Sequence, residues 1–176
     1  MIGLQRGTVK LVPYTPEWKR LFEEEKKLLL SSIGNYVIDI QHVGSTAIPG
    51  LEAKPIIDIA VAVRSSEDVE KCIQPLEHLG YEYKREDPGR FLFVKGDPMK
   101  RTHYVHMVEW NSEFWKNYLL FRDYLHKHKE MANEYAKIKR ELAREFEANR
   151  GEYTKGKVSF IEKILRMAKR EADTDG

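Results

Sequence analysis

HVGSTAIPGLEAKPIIDIAVAV, residues 42–63, contains the pattern that decides the fold. An apolar run ends at Val43, the small residues 44–46 follow, and a second apolar run begins after Pro55. Asp58 is the one charged residue in that second run. A buried strand of about six to eight residues is normally almost wholly apolar, and an unpaired charge inside it costs several kcal/mol. Asp58 is therefore predicted to face a cation or hydrogen-bond donors.

The turn ahead of this strand has the composition of a phosphate site. Backbone amides of Gly44 and Ser45, together with the hydroxyls of Ser45 and Thr46, are predicted to bind phosphate oxygens. A carboxylate in the following strand then indicates a metal ion next to the phosphate. The alternative is a tight turn beside an Asp58 that is satisfied by Lys54 or by loop amides.

The composition narrows the class of protein. The chain has 176 residues, and we expect a single domain over 1–176, with a sheet part to about residue 111 and a helical part over about 112–170. Lys and Arg number 30 against 28 Asp and Glu, and this balance predicts no extended nucleic-acid surface. Cys72 is the only cysteine, which excludes an internal disulfide and indicates a reducing compartment.

Apolar runs in this sequence have the length of strands, far below the roughly 20 residues that cross a bilayer. The amino terminus has no apolar core of the kind that a secretory signal contains. We therefore expect a cytoplasmic protein without membrane contact.

Hydrophobic periodicity predicts a mixed succession of strands and helices. The predicted strands cover residues 8–12, 36–43, 56–64, 81–86, 90–95 and 102–110. The predicted helices cover residues 15–32, 65–79, 113–126, 130–148 and 154–169. The last three strands follow one another closely, which indicates an antiparallel meander. In the last helix the inward residues are predicted to be Val158, Ile161, Ile164 and Leu165.

The period of two assigns faces to the strand that carries Asp58. One face has Ile57, Ile59, Val61 and Val63, and the other has Ile56, Asp58, Ala60 and Ala62. The two alanines leave room for a ligand, or equally for a closely packed helix. His103 and His106 are three residues apart, so they point to opposite faces of a later strand, and the sequence alone does not say which one faces Asp58.

Several motifs together resemble one protein family. They are YTPEW at 14–18, HVGSTAIPG at 42–50, KPIIDI at 54–59, RTHYVH at 101–106, FRDYL at 121–125, EYAKIK at 134–139 and YTKGKVSF at 153–160. This set covers nearly the whole chain and resembles the GrpB family, whose fold is similar to that of polymerase-beta-type nucleotidyltransferases. The resemblance implies an α+β fold, a nucleotidyltransferase-like mixed β-sheet with flanking helices and a carboxy-terminal helical part.

The wider superfamily has two carboxylates one residue apart on a strand after a Gly-Ser turn, and a third acid on a later strand. These acids hold two Mg²⁺ ions, which need several hard oxygen ligands. Asp58 matches the first carboxylate, Ala60 stands at the second position, and histidines occupy the later strand. The resemblance thus implies Asp58 as a catalytic residue and metal ligand, and Mg²⁺ or Mn²⁺ as the cofactor. A neutral imidazole can bind a metal or act as a general base, so we also predict His106, with His103 as the alternative histidine, as a catalytic residue and metal ligand.

The resemblance also implies a ligand and a set of residues that bind it. The expected partner is a nucleotide or another phosphorylated small molecule. The residues predicted to bind it are Gly44, Ser45, Thr46, Lys54, Arg122, Lys139, Tyr153 and Lys157.

Three functions fit these features. The first is a nucleotidyltransferase-like protein that binds such a ligand, with metal-dependent nucleotidyl transfer to an acceptor if it is active. The second is a non-catalytic nucleotide-binding or regulatory module that lost the second carboxylate at Ala60. For this module the resemblance implies a link to coenzyme A metabolism, since some family members are joined to dephospho-coenzyme A kinase. The third is a metal-dependent hydrolase that uses Asp58 with histidines.

Overall fold

The computed structural model describes residues 2–5 and 7–175, apart from the side chains at 85, 86 and 175. The strands are β1 (Leu4–Gln5), β2 (Val37–Val43), β3 (Ile57–Val63), β4 (Tyr81–Asp87), β5 (Arg90–Asp97) and β6 (Lys100–Glu109). The helices are α1 (Glu17–Ile33), α2 (Glu67–His78), α3 (Glu113–Lys127), α4 (Lys129–Glu145) and α5 (Arg150–Asp175). This succession is the α+β fold that the sequence predicted.

The strands form one mixed sheet in the order β2-β3-β6-β5-β4, and β1 pairs with the first residues of β6. Strands β4, β5 and β6 are antiparallel neighbours, so the predicted meander is confirmed. Strand β3 pairs antiparallel with β2 and parallel with β6. The parallel pair sets Asp58 beside Tyr104 and Ala60 beside His106.

Helix α1 begins where local chemistry favours a start. Pro16 has its φ fixed near the helical value, and the hydroxyl oxygen of Thr15 accepts a hydrogen bond from the Glu17 amide at 3.3 Å. The helix then buries one apolar stripe against the sheet, formed by Trp18, Phe22, Leu29 and Ile33.

The two faces of the sheet differ as the period of two predicted. Helices α1 and α2 cover the face that carries Ile57, Ile59, Val61 and Val63, all fully buried. Ala60 and Ala62 lie on the opposite face and pack with Trp115 of α3. Helices α4 and α5 join α3 on this second side through a separate apolar cluster. The alanines thus admit a helix over the far part of β3, while Asp58 lies beyond it.

Two predictions about the periphery were wrong. Residues 8–12 do not form a strand: the Val9 amide donates to the Glu147 carbonyl in the turn after α4, and only Val12 makes a bridge, to Ala53. Val158 is not inward but 46% exposed. Helix α5 begins earlier than predicted, and its buried stripe runs through Tyr153, Phe160, Ile164 and Ala168, which leaves position 158 on the outer side.

A buried charged group lies beneath α1. Glu25 is only 4% exposed, and its carboxylate accepts hydrogen bonds from the Tyr81 hydroxyl at 2.7 Å and from the Lys95 ammonium at 2.8 Å. Burial and the negative charge of Glu25 both raise the pKa of Tyr81 well above its usual value.

Among the described residues, no helix combines the length and the apolar character that a membrane crossing requires.

Candidate functional site

A cleft of about 550 Å³ lies between the Asp58 face of the sheet and helices α3–α5. This volume is within the usual range for small-molecule sites, about 300–1,000 Å³. Most residues that the sequence assigned to the site line this cleft: Gly44, Ser45, Thr46, Lys54, Asp58, His106, Lys139, Tyr153 and Lys157.

The turn after β2 touches the carboxylate of Asp58. Gly44 has φ +74° and ψ −171°, a backbone conformation that is essentially restricted to glycine. A Cβ atom at this position would lie only 2.8 Å from Asp58 Oδ2. Glycine therefore allows both the turn itself and its close approach to the acid.

His106 supplies the hydrogen bond to Asp58. Its Nε2 lies 3.0 Å from Asp58 Oδ1 across the parallel pair of strands. Burial alone would raise the pKa of Asp58, but the hydrogen bond and charge of His106, with Lys54 and Lys157, outweigh it and hold that pKa below its usual value. At neutral pH Asp58 is therefore an ionised carboxylate, and its side chain keeps 31% of its surface exposed.

The structure also decides between the two histidines. His103 pairs with Ile57 of β3 and shares its α1 side of the sheet, and its Nδ1 is 2.7 Å from the Thr102 hydroxyl. Burial lowers the pKa of this imidazole, which keeps it neutral. His106, and not His103, therefore faces Asp58.

Three lysines line the same cleft as the carboxylate of Asp58: Lys54, Lys139 and Lys157. Lys54 Nζ and Lys157 Nζ lie 5.1 and 4.8 Å from the centroid of the Tyr153 ring. Burial and repulsion by Lys157 lower the pKa of Lys54 to about 7. Lys139 is 1% exposed; its ammonium donates to the Glu52 carbonyl at 2.5 Å, and burial lowers its pKa well below the usual value.

Lys54 has an unsatisfied ammonium group. Its Nζ makes no hydrogen bond or ion pair with any residue that the structure describes. The Tyr153 hydroxyl in the same wall is buried and also has no hydrogen-bond partner among the described residues. Lys54 makes no hydrogen bond to Asp58; His106 donates to Asp58 Oδ1, and Lys54 acts on the carboxylate only through its charge. Polar groups remain available for a ligand.

Arg122 and His42 lie behind the turn rather than in the cleft wall. Arg122 donates to Gln41 Oε1 at 2.8 Å and to the His42 carbonyl at 3.1 Å. Arg122 was predicted to bind phosphate, but it is not among the residues that line the cleft. His42 Nε2 is 2.9 Å from Thr46 Oγ1, and its ring stacks on Phe22. Burial lowers the pKa of His42 to about 4, so a neutral imidazole holds Thr46 in place.

Helix α3 contributes an aromatic wall that the sequence reasoning missed. Phe114, Tyr118 and Phe121 line the cleft with Asn117 between them, and Tyr104 joins them from β6. Their spacings of three and four on α3 were a signal of one helical face. Nothing in the sequence said that this face would line a cleft rather than fill the core.

The donor set does not fit the two-metal site that the resemblance implies. Asp58 is the one carboxylate at the turn: Ala60 occupies the second position, and His106 lies beside it on β6. Within residues 2–5 and 7–175, no group of three or more His, Cys, Asp or Glu side chains could hold a metal ion. Mg²⁺ needs several hard oxygen ligands, and this end of the cleft presents ammonium groups instead.

Comparison with solved structures shows a distant similarity of fold. A mutant of the Cid1 poly(U) polymerase bound to MgATP superposes with a TM-score of 0.50 at 16% sequence identity, over 73% of this chain and 45% of that one. The similarity is one of fold alone. A dephospho-CoA kinase from Mycolicibacterium paratuberculosis is 36% identical over 81 residues, which are 44% of this chain and 20% of the kinase.

Closer relatives cover the whole fold. The glutamate-rich protein GrpB of Alkalihalophilus pseudofirmus is 41% identical over 171 residues, 94% of this chain and 98% of that protein. The crystal structure of the conserved protein GrpB from Enterococcus faecalis superposes with a TM-score of 0.86 at 35% identity, over 93% and 99% of the two chains. The family model described as GrpB protein matches residues 8–167. The chain therefore belongs to the GrpB family.

Proposed function

We propose that this protein binds a nucleotide, or a phosphorylated small molecule of similar size, in the cleft between the sheet and helices α3–α5. The unpartnered ammonium group of Lys54 is the observation that carries the proposal. Its half-buried ammonium lines the cleft without a partner among the described residues, while His106 already holds Asp58. Such an ammonium costs free energy until an anion binds to it, and a phosphate group is the anion that the surrounding residues suit.

The phosphate end of the ligand is assigned to the wall that contains the turn. Lys54 and Lys157 flank the Tyr153 ring, and Ser45 and Thr46 line the same cleft. Ammonium groups act as point charges for phosphate, and hydroxyls donate to its oxygens. Two phosphates in this position would neutralise both lysines and remove their mutual repulsion.

A second wall of the cleft suits a planar ring. Phe114, Tyr118 and Phe121 present aromatic side chains from α3, and Arg90 lies 5.3 Å from the Phe114 ring. Nucleobases stack on aromatic side chains, with about 1–3 kcal/mol per stacked base. A ligand that carries both phosphates and an aromatic ring thus matches both walls of the cleft.

Binding is tested by thermal shift and calorimetry with ATP, GTP, CTP, UTP, dephospho-coenzyme A, coenzyme A and inorganic triphosphate. Each ligand is assayed in EDTA, in Mg²⁺ and in Mn²⁺, which tests the predicted cofactor directly. We expect at least one nucleotide to raise the Tm, and Lys54→Met and Lys157→Met each to weaken its binding about tenfold, the effect of one lost charge-assisted hydrogen bond.

Lys155→Met is the matched control, because Lys155 is 77% exposed and pairs with Glu152 on the same helix as Lys157. Its affinity should equal that of the wild type. Absence of stabilisation by every ligand, or full affinity in Lys54→Met, would overturn the proposal. Coenzyme A and its precursor belong in the panel because of the kinase relative.

A second candidate is transfer of a nucleotidyl group to an acceptor, favoured by the Asp58–His106 pair beside the proposed phosphate position. Incubation with α-labelled ATP or UTP and candidate acceptors would then yield a labelled acceptor, and Asp58→Asn would abolish it. Binding with no labelled product would instead support the non-catalytic module.

A further inference from the structure

We propose that His106 is a general base that cleaves a phosphoanhydride bond of the bound ligand without a resident metal ion. The inference rests on the proposed function, since the ligand must first bind in the cleft. The side chains around Asp58 do not supply the carboxylates that a two-metal site needs.

Asp58 and His106 form an oriented pair. Asp58 Oδ1 lies 3.0 Å from His106 Nε2, and an ionised carboxylate accepts only, so Nε2 carries the hydrogen. In the neutral ring the lone pair is then on Nδ1. This atom has no hydrogen-bond partner among the described residues, and the half-buried ring lines the cleft. Tyr118 packs against the ring at 5.4 Å between centroids and restricts its rotation.

The cleft presents cations where a two-metal site presents acids. Lys54, Lys157 and Arg90 line it against the carboxylates of Asp58 and Asp87, and Asp87 pairs with Arg90. Fixed positive groups can stabilise the negative charge that develops on phosphate oxygens in the transition state. The charge that metal ions supply elsewhere is thus part of the protein wall.

The chemical step follows from these positions. A hydroxyl group, of water or of an alcohol, lies at His106 and gives its proton to Nδ1. Its oxygen forms a bond to phosphorus, the bridging P–O bond breaks, and the electron pair leaves with the departing phosphate. His106 then returns the proton to the leaving group or to solvent. Water yields two phosphates, an alcohol yields a phosphate ester and a phosphate, and nothing is oxidised or reduced.

The test uses the full-length protein with α-labelled ATP, GTP, CTP and UTP in EDTA, with and without glycerol as the alcohol. We expect turnover of a nucleotide that binds; a labelled glycerol ester identifies an alcohol acceptor and a labelled nucleoside phosphate identifies water. His106→Gly should lower kcat at least about 100-fold, the usual contribution of a general base, and added imidazole should restore part of it. Asp58→Asn, which removes the positioning residue, should lower kcat with little change in KM.

The controls separate chemistry from folding and from binding. His126→Gln changes an exposed histidine of α3 and should leave turnover unchanged. Calorimetry should show nucleotide affinity in His106→Gly within about threefold of the wild type. Turnover that requires Mg²⁺, full turnover in His106→Gly, absence of rescue in a folded variant, or binding without turnover would each overturn this inference. Absence of binding to the wild type would overturn the proposed function itself.

Discussion

Gly44 lies against the carboxylate of Asp58, so that a Cβ atom at residue 44 would be 2.8 Å from Oδ2. This contact joins the turn after β2 to the next strand of the sheet. His106 holds the other oxygen of the same carboxylate. The acid is therefore fixed from two sides, by a backbone that carries no side chain and by an imidazole.

Replacement of Gly44 by alanine should destabilise the protein and displace the carboxylate. The positive φ costs about 1–3 kcal/mol for a residue with a Cβ, and the contact with Oδ2 adds to it. Urea unfolding should show this loss, and nucleotide affinity should fall with it. Gly50→Ala is the matched control, because φ is +83° there but a Cβ would meet open space. An equal loss in the two variants would contradict the role of the contact.

The stabilisation by Asp58 should depend on pH in a defined direction. Burial raises the pKa of Asp58, but His106, Lys54 and Lys157 together lower it by a larger amount, so the pKa in the folded protein is below the usual value. A lowered pKa in the folded state means that the stabilisation is present at neutral pH and is lost as pH falls through that folded pKa.

Asp58→Asn should therefore reduce the free energy of unfolding by about 1.5–3 kcal/mol near pH 7, the range for a charge-assisted hydrogen bond. The difference from the wild type should shrink below about pH 4, where the free carboxyl group titrates. Denaturant titrations at a series of pH values measure it. A difference that stays constant down to pH 3 would show that Asp58 is not held by charge.

Anion binding should be accompanied by proton uptake at Lys54. Its pKa of about 7 lies below the usual value because of burial and Lys157, so the empty site is largely deprotonated above pH 7. A bound phosphate favours the ammonium form and raises that pKa. Calorimetry at pH 8 in two buffers of different ionisation enthalpy should give an uptake approaching one proton.

The same shift predicts the pH dependence of stability without ligand. Between pH 7 and the pKa of the unfolded lysine, the unfolded state binds the proton and the folded state does not, so the contribution of Lys54 to stability rises with pH. Lys54→Met should remove both this rise and the proton uptake, while Lys155→Met keeps both. Ligand binding without uptake in the wild type would contradict the assignment.

Loss of Lys95 should be costly because it leaves Glu25 buried without a cation. Lys95 Nζ lies 2.8 Å from a carboxylate whose side chain is 5% exposed. Lys95→Met is expected to lower the free energy of unfolding by about 3–5 kcal/mol, the usual result of breaking a buried ion pair from one side.

The double change Lys95→Met with Glu25→Gln should recover part of that loss, since no buried charge is then left unpaired. Arg20→Met serves as the surface control; both side chains of the Arg20–Glu24 pair are 58% exposed, and such pairs contribute about 0–1 kcal/mol. Similar losses in Lys95→Met and Arg20→Met would show that the Glu25 site is well solvated.

The sequence predicted the sheet side of the site better than its helical side. Period two placed Asp58 and Ala60 on one face, and the His103–His106 spacing restricted the choice to one histidine per face. Which histidine faced Asp58 depends on the parallel pairing of β3 with β6, a long-range relation that residue spacing does not contain.

On the helical side, residue spacing identified the apolar faces of the helices, but not whether each face contacts the core, the cleft or solvent. Tyr118 and Phe121 follow the same helical periodicity as core residues, yet they line the cleft. Val158 was predicted to be inward because it is apolar, and it is exposed because α5 turns a different face to α3 and α4. Arg122 is a cation in a family motif, but its side chain donates a hydrogen bond to the His42 carbonyl of β2 and does not line the cleft.

The parallel pairing of β3 with β6 has a consequence for how the protein folds. Asp58 and His106 are 48 positions apart in the chain, and helix α2 and the β4–β5 hairpin lie between them. Contacts of such high sequence separation form slowly, because the loop must close before the contact stabilises it. The candidate site is therefore expected to assemble late during refolding, after the β4–β5 hairpin has formed.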